Sequence, residues 1–444
     1  MRKQFRVTVP VLACLSLLAW SNCLAKPQAA TVSHAKTATD HPEFAEQIKA
    51  NDFRAIDKYL NAQQAAYEKG EIDDVALYNS FKQDIFVDPK MGAHLIRWAQ
   101  TYQKSYAAHV TLAYFYTSVA TRSRGQKYAS ETATEQFSKM DYYLSKASTE
   151  QGIALSLTRK PLLSYTSLIF TAMIDGDKTA ARSWMEYGNT VAPNNFIVRR
   201  AYMSALDRHW LGSDKENSQF YAECEKAALS KDQLAVLQGM NLADKADALR
   251  RESKPEESIK TFQQAIALLK DRQTLMLAPG YAMTLQAASG AYADLKQYPE
   301  ALDLLNQALR LSPNDPKLLA SRGWTYLSMK SLAAFPDLEF AANHGSEWAM
   351  GLLGDYYMEG WLVPQSTEKA KKYYSMAAAL GNDKAISKLS QNWPDAMLNL
   401  PDSAQAYEKL ERKSEVPPFR VPAPPQQKQL PPFVKPPFKV VPSA

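Results

Sequence analysis

Cysteine, histidine and glycine are scarce in this chain: three, six and sixteen among 444 residues. Cys14 and Cys23 fall in the opening MRKQFRVTVPVLACLSLLAWSNCLA, so a chain that has lost this stretch keeps Cys224 alone and has no internal disulfide to stabilise it. Cys224 lies in the amphipathic pattern FYAECEKAAL and reads as a buried, inert thiol. The histidines, His34, His41, His94, His109, His209 and His344, show no metal-ligand spacing. Asp175, Asp177, Thr179 and Glu186 have the spacing of a calcium loop, but Ala180 stands where the sharp turn needs glycine. Glu131 and Glu135 share one helical face and read as solvated carboxylates rather than an acid/base pair. There is no Gly-x-Ser-x-Gly, phosphate loop or dinucleotide fingerprint, and no Asn-x-Ser/Thr acceptor. These absences point to a non-enzymatic chain with no cofactor and no metal. The missing glycosylation acceptor favours a bacterial periplasm over a secretory lumen.

The two ends differ from the body. Arg2, Lys3 and Arg6 precede an apolar run, Val7 to Trp20, and Cys23-Leu24-Ala25 suits a signal peptidase. Cleavage after Ala25 is expected, leaving Lys26 first and the protein periplasmic or secreted. The apolar run is shorter than the ~20 residues that span a bilayer, so no integral span is expected once the signal is removed. Trp20-Ser21-Asn22 is a poor lipobox, which disfavours lipid attachment at Cys23. After Glu415 comes VPPFRVPAPPQQKQLPPFVKPPFKVVPSA, with ten of the twenty-five prolines and no acidic residue. This composition excludes helix and sheet and predicts a disordered, extended tail. Its three PPF units make Phe419, Phe433 and Phe438 candidate partner-binding residues, because extended segments lose little entropy on docking into aromatic grooves. Seven cations of the formal +6 lie at the ends, three before Lys26 and four after Glu415, so residues 26–415 carry a net −1. That near-neutral body has no electrostatic footprint for nucleic acid.

Between the ends, apolar residues recur at helical spacing with no convincing alternating strand pattern, which predicts an all-α body. Early helices are read in PEFAEQIKANDFRAIDKYLNAQQAAYEKG, DVALYNSFKQDIF, MGAHLIRWAQTY, SYAAHVTLAYFYTSVATRSRG and Thr132 to Ser145. Further on the chain repeats itself. Ala342, Gly345, Ala349 and Leu353 recur thirty-six residues later as Ala378, Gly381, Ala385 and Leu389, while Tyr292 and Ala308 precede Tyr326 and Ala342 by thirty-four. At ~36 residues per helix pair, a body made of one array would hold about ten pairs.

These residues carry a resemblance to two related helical-repeat families. LLSYTSLIFTAMIDGDKTAARSWMEYGNTVAPNN resembles a tetratricopeptide unit, with Gly176 in the turn, Ala181 as the small residue and Pro193 as the stop. LQAASGAYADLKQYPEALDLLNQALRLSPND is similar at Tyr292, Tyr298, Ala301, Ala308 and Pro313, and ALRRESKPEESIKTFQQAIALL more loosely, with Ser258 in place of alanine. Ala349, Leu353, Gly354, Tyr357, Gly360, Val363, Ala370, Tyr374, Ala377, Ala378 and Gly381 resemble a Sel-one-like repeat, in which Ser366 replaces the usual aspartate yet can still cap a helix. Gly323, Tyr326, Ala342 and Gly345 complete the set of repeat positions. VRRAYMSALDRHWLGSDKENSQF resembles a bacterial envelope domain family of unassigned function, with Leu211 where that family more often has a second glycine.

The resemblance implies a solenoid of helix-turn-helix pairs, an α-α superhelix. Its expected segments are a signal peptide at 1–25, a leader at 26–41, and an N-terminal helical domain at 42–230 with a tetratricopeptide-like pair at 162–193. Tetratricopeptide-like repeats at 231–314, mixed tetratricopeptide and Sel-one-like repeats at 315–392, a terminal helical segment at 393–415 and the tail at 416–444 follow. One pair cannot bury its apolar face alone, so neighbours stack, and the surface inside the curve becomes a groove for a protein or peptide partner. Sel-one-like families include toxin inhibitors, which makes an immunity-type binder a special case. The competing expectation is an envelope hydrolase with its site in 42–230; a deep pocket of clustered polar residues there would favour it.

Overall fold

The structure, a computed structural model, describes residues 41–397 apart from 42, 83–85, 87, 125–133, 209, 277–279 and 381. Among the described residues the regular elements are helices and there is no strand, giving a solenoid in which each helix packs chiefly on the next. The N-terminal stretch read as one helix is two, α1 (Glu43–Lys49) and α2 (Arg54–Lys69). The break falls at Asn51, whose φ of 55° is a left-handed conformation that asparagine tolerates and a helix does not. After α3 (Asp74–Phe81) and a 3₁₀ turn come α4 (Gly92–Thr101), α5 (Tyr106–Arg124) and α6 (Thr134–Leu157). Helix α5 is buried on nearly every side, and α6 packs along its length. Helix α6 extends well past Ser145 because Ala147, Gln151 and Ala154 continue its buried stripe at helical spacing.

The array continues as α7 (Leu162–Ile174) with α8 (Lys178–Val191), then α9 (Ile197–Ala205) and α10 (Asp214–Glu225). Next come α11 (Lys231–Arg251) with α12 (Pro255–Leu269), the short α13 (Gln273–Met276), and α14 (Gly280–Asp294) with α15 (Tyr298–Leu311). Helices α16 (Pro316–Ser328) with α17 (Ala334–Asn343), α18 (Glu347–Glu359) with α19 (Thr367–Ala379), α20 (Asp383–Asn392) and α21 (Pro394–Met397) complete it. First helices also touch those of the next pair, α7 on α9 and α14 on α16, and among the described residues one large core is accompanied by two small clusters around Phe262 and Met140. Many starts carry the same device: Asp177, Ser213, Ser230, Asp315, Ser346, Ser366 and Asn382 each accept an N–H from the first helical turn. Each such cap is worth roughly 1 kcal/mol.

Small residues sit where helices meet. Ala181, Ala301, Ala308, Ala342, Ala370 and Ala378 are buried, as are Leu353 and Tyr357. Ser258 occupies such a position fully buried, and its hydroxyl donates to the Ala246 carbonyl at 2.7 Å, which satisfies the polar group alanine would not have carried. A Cβ on Gly354 would lie 2.6 Å from Tyr374 Cε1, and one on Gly323 would lie 2.7 Å from Leu338 Cγ. Gly360, at φ 73°, closes α18 in the left-handed conformation that glycine adopts without penalty. Gly176 and Gly345 lie in turns, and Pro193 and Pro313 lie exposed just past the ends of α8 and α15. Tyr292 and Tyr326 are half-buried. Arg322 on α16 binds Asp337 on α17 through two bonds of 2.7 and 2.8 Å and reaches Asn306 on α15 at 2.9 Å, tying three helices together.

Candidate interaction surface

Several polar groups inside the N-terminal half hold helices together. Asp74 accepts from the backbone N–H groups of Phe196 and Ile197 and so caps α9 from the far side of the chain. Burial raises its pKa against the effect of those bonds. Glu68 is penalised by burial, but hydrogen bonds from Thr158, Arg159, Lys160 and Gln64 outweigh it and hold the carboxyl below the usual range. The His109 ring contacts Glu150 at 2.6 Å and the Gln103 carbonyl at 3.1 Å; burial opposes its protonation, but these partners raise its pKa. Cys224 is buried, and burial pushes its thiol up to about 12.

One open depression in this half is lined by Asp57, Asn61, Tyr102, Lys104 and Ser105. Its polar groups already serve the fold: Asp57 accepts the Trp98 indole N–H at 2.9 Å, and Asn61 donates to Ser105 Oγ at 2.8 Å. Asp177, inside the stretch spaced like a calcium loop, caps α8 instead. Among the described residues no group of three His, Cys, Asp or Glu side chains is placed to hold a metal, and no helix is long and apolar enough to cross a membrane.

The surface of the first helices has a different character. On α18, Trp348, Leu352 and Tyr356 recur every four residues and therefore form one stripe, about 12 Å long at 1.5 Å per residue. Trp348 is 47% exposed, far more than the buried tryptophan Trp98 of the N-terminal half. The half-buried Trp324 on α16 brings its ring to 6.4 Å from that of Trp348, so the stripe crosses from one pair to the next. At the C-terminal end of α18 the Trp361 ring, 55% exposed, meets Tyr356 edge-on at 5.5 Å. On the other side of α16, Gln286 of α14 donates to Ser321 Oγ at 2.8 Å, with the exposed Met283 one turn away. Asp355, beside Tyr356, accepts from Tyr374 at 2.8 Å and Lys384 at 2.6 Å, which fixes α18 against α19 and α20. The result is a ladder across α14, α16 and α18 in which the exposed Trp348 and Trp361 indoles make ring contacts with Trp324 and Tyr356. Aromatic rings fixed in this way offer large contact area at little further entropy cost.

The repeat residues read from the sequence underlie this ladder rather than compose it: Gly354 and Leu353 set the seat of α18, and Gly323 that of α16. Ala25, Lys26, Gly381, Phe419, Phe433 and Phe438 lie outside the described residues, as do His34, His209 and Glu131. Trp324 and Trp348 carry no repeat signature, and the only sequence signal for them is two tryptophans on helical patterns twenty-four residues apart.

No family profile and no curated protein matches the sequence. The structural neighbours are tetratricopeptide and Sel1 repeat proteins. They include the APC/C hetero-tetramer Cut9-Hcn1, at 17% identity over 68% of this chain and 52% of that one, with a TM-score of 0.37. A Sel1 repeat protein from Oxalobacter formigenes is 17% identical over 79% of this chain and 89% of that one, with a TM-score of 0.35. The TPR domain of P58(IPK) is 14% identical over 79% of this chain and 98% of that one, with a TM-score of 0.24. The chain thus spans about half the length of the first of these neighbours. These likenesses concern the helical-repeat architecture.

Proposed function

We propose that this chain is an exported, non-enzymatic scaffold that binds a protein or peptide partner along the first helices of α14, α16 and α18, on the inner side of the array. The observation that carries this reading is the Trp324–Trp348 contact, which sets the exposed Trp348 beside the half-buried Trp324 on consecutive repeats. A monomeric surface rarely leaves two large aromatics side by side without use, and tryptophan is enriched among residues that dominate binding energy. An inhibitor of immunity type is the special case in which the partner is a toxin. Export with cleavage after Ala25 places the array in the periplasm, where that partner would be met.

The test compares co-purification from envelope extract by the wild-type protein and by the double variant Trp324→Ala, Trp348→Ala, after circular dichroism has shown equal helicity. A protein captured by the wild type and then shown, once purified, to bind it but not the variant supports the reading. Equal binding of that protein by both contradicts it.

A further inference from the structure

We propose that the aromatic ladder is occupied, in the free protein, by the chain's own C-terminal segment, residues 416–444, docked through its PPF units on Trp348, Trp324 and Tyr356. This rests on the ladder being the binding surface argued above, and it adds a built-in competitor for the partner.

Four observations select this occupant. The first is chemistry: flat aromatic rings, here the 47% exposed Trp348 indole flanked by the half-buried Trp324 and Tyr356, are the surfaces on which extended proline-rich segments pack, and residues 416–444 hold ten prolines and three phenylalanines. The second is position. The described chain ends with α21 at Met397, directly after α20, and α20 is tied to the ladder helix α18 by the Lys384–Asp355 pair. Residues 398–415 then separate α21 from Val416, and even half-extended they span several tens of ångströms, ample to return to Trp348.

The third is spacing. Phe433 and Phe438 are five residues apart, about 15 Å in a polyproline-type strand, against about 12 Å between the Trp348 and Tyr356 positions on α18. Two consecutive PPF units therefore reach along one helix stripe, their rings projecting about 120° apart at three residues per turn. The fourth is charge. Residues 416–444 carry four cations and no acid, and the ladder ends at the C-terminus of α18, where the exposed Glu359 and the helix dipole both favour a cation such as Lys435 or Lys439. Tethering raises the effective concentration of such a segment to the millimolar range, so contacts too weak to hold a free peptide would suffice in the chain.

The probe is a labelled synthetic peptide with the sequence of residues 430–440, LPPFVKPPFKV, titrated by fluorescence anisotropy into full-length proteins. The triple variant Phe419→Ser, Phe433→Ser, Phe438→Ser, with its own segment disabled, should bind the peptide at least tenfold more tightly than the wild type, whose segment competes. Adding Trp348→Ala to the triple variant should abolish binding. Equal binding by wild type and triple variant, no binding by the triple variant, or indifference to Trp348→Ala would overturn the proposal. A wild-type mass that doubles with concentration in sedimentation, and does not in the triple variant, would replace docking within one chain by docking between two copies and equally overturn it. Should the peptide fail while partner binding still depends on Trp324 and Trp348, only this inference falls; if partner binding is indifferent to both tryptophans, the functional reading falls with it.

Discussion

Replacing Gly354 by leucine probes the contact that seats α18 against α19. A Cβ at this position would lie 2.6, 2.7 and 3.1 Å from Cε1, Cδ1 and Cζ of Tyr374, where an ordinary carbon contact needs about 3.5 Å or more. The ring cannot withdraw easily. It is 1% exposed, its hydroxyl is bonded to Asp355 at 2.8 Å, and Trp393 packs 6.4 Å away. The helices must therefore separate, and overpacking of this kind costs about 1–3 kcal/mol. Gly351, on the same helix, is the internal control: nothing lies within 4 Å of its would-be Cβ, so Gly351→Ala should stabilise by up to ~1 kcal/mol through helix propensity alone. Chemical denaturation gives both differences, and hydrogen exchange gives their location. Because arrays couple mainly to nearest neighbours, faster exchange in Gly354→Leu should be confined at first to α18, α19 and α20. Stability equal to wild type, or loss spread evenly to α5 and α6, would refute the reasoning.

Asp244 on α11 is buried and receives only a 3.4 Å bond from Asn217, while Asp207 and Asp214 face it together with Arg208; burial first and these carboxylates second push its carboxyl up to about 6. A folded pKa above the unfolded one contributes stability that is present below the unfolded value of ~4 and is lost as pH rises through about 6, so Asp244→Asn should remove that pH dependence and, with solvent screening reducing the full effect, stabilise at pH 7.5 by on the order of 1 kcal/mol. An unchanged melting profile between pH 4.5 and 7.5 would refute it. Cys224, buried and with its thiol pushed up to about 12, should react with a disulfide reagent only at the rate of unfolding; rapid modification of the native protein would contradict that burial. N-terminal sequencing of protein from the envelope fraction should begin at Lys26, and a full-length cytosolic chain would refute export.

The array was legible because a repeat writes its contacts in small residues at fixed intervals. Ala342, Ala349, Leu353 and Gly354, read as repeat positions, are buried in the structure, and Ser366, which stands where the Sel-one-like pattern has aspartate, accepts the Lys369 N–H at the start of α19. What the sequence does not spell out is contact between distant positions. Asp74 caps α9 from 122 residues away, and Glu68 clamps the 158–160 loop from across the N-terminal half. The pair Trp324 and Trp348 is hidden for a further reason. A tryptophan at helical spacing looks like core, and only the stacking of consecutive repeats brings these two rings together and leaves Trp348 exposed. Helix boundaries failed where backbone conformation decides them, as at Asn51, and where small buried residues extend a stripe beyond its obvious apolar members, as in α6.

In the function proposed above, two tryptophans on consecutive repeats form the partner's landing site. Calorimetric titration of the co-purified partner into wild type and into the double variant Trp324→Ala, Trp348→Ala tests it most directly. Truncating such anchors typically costs about 2 kcal/mol or more, so an affinity loss of roughly thirtyfold or greater is expected with the melting temperature nearly unchanged. Affinity within a factor of two of wild type, at equal helicity, would contradict it.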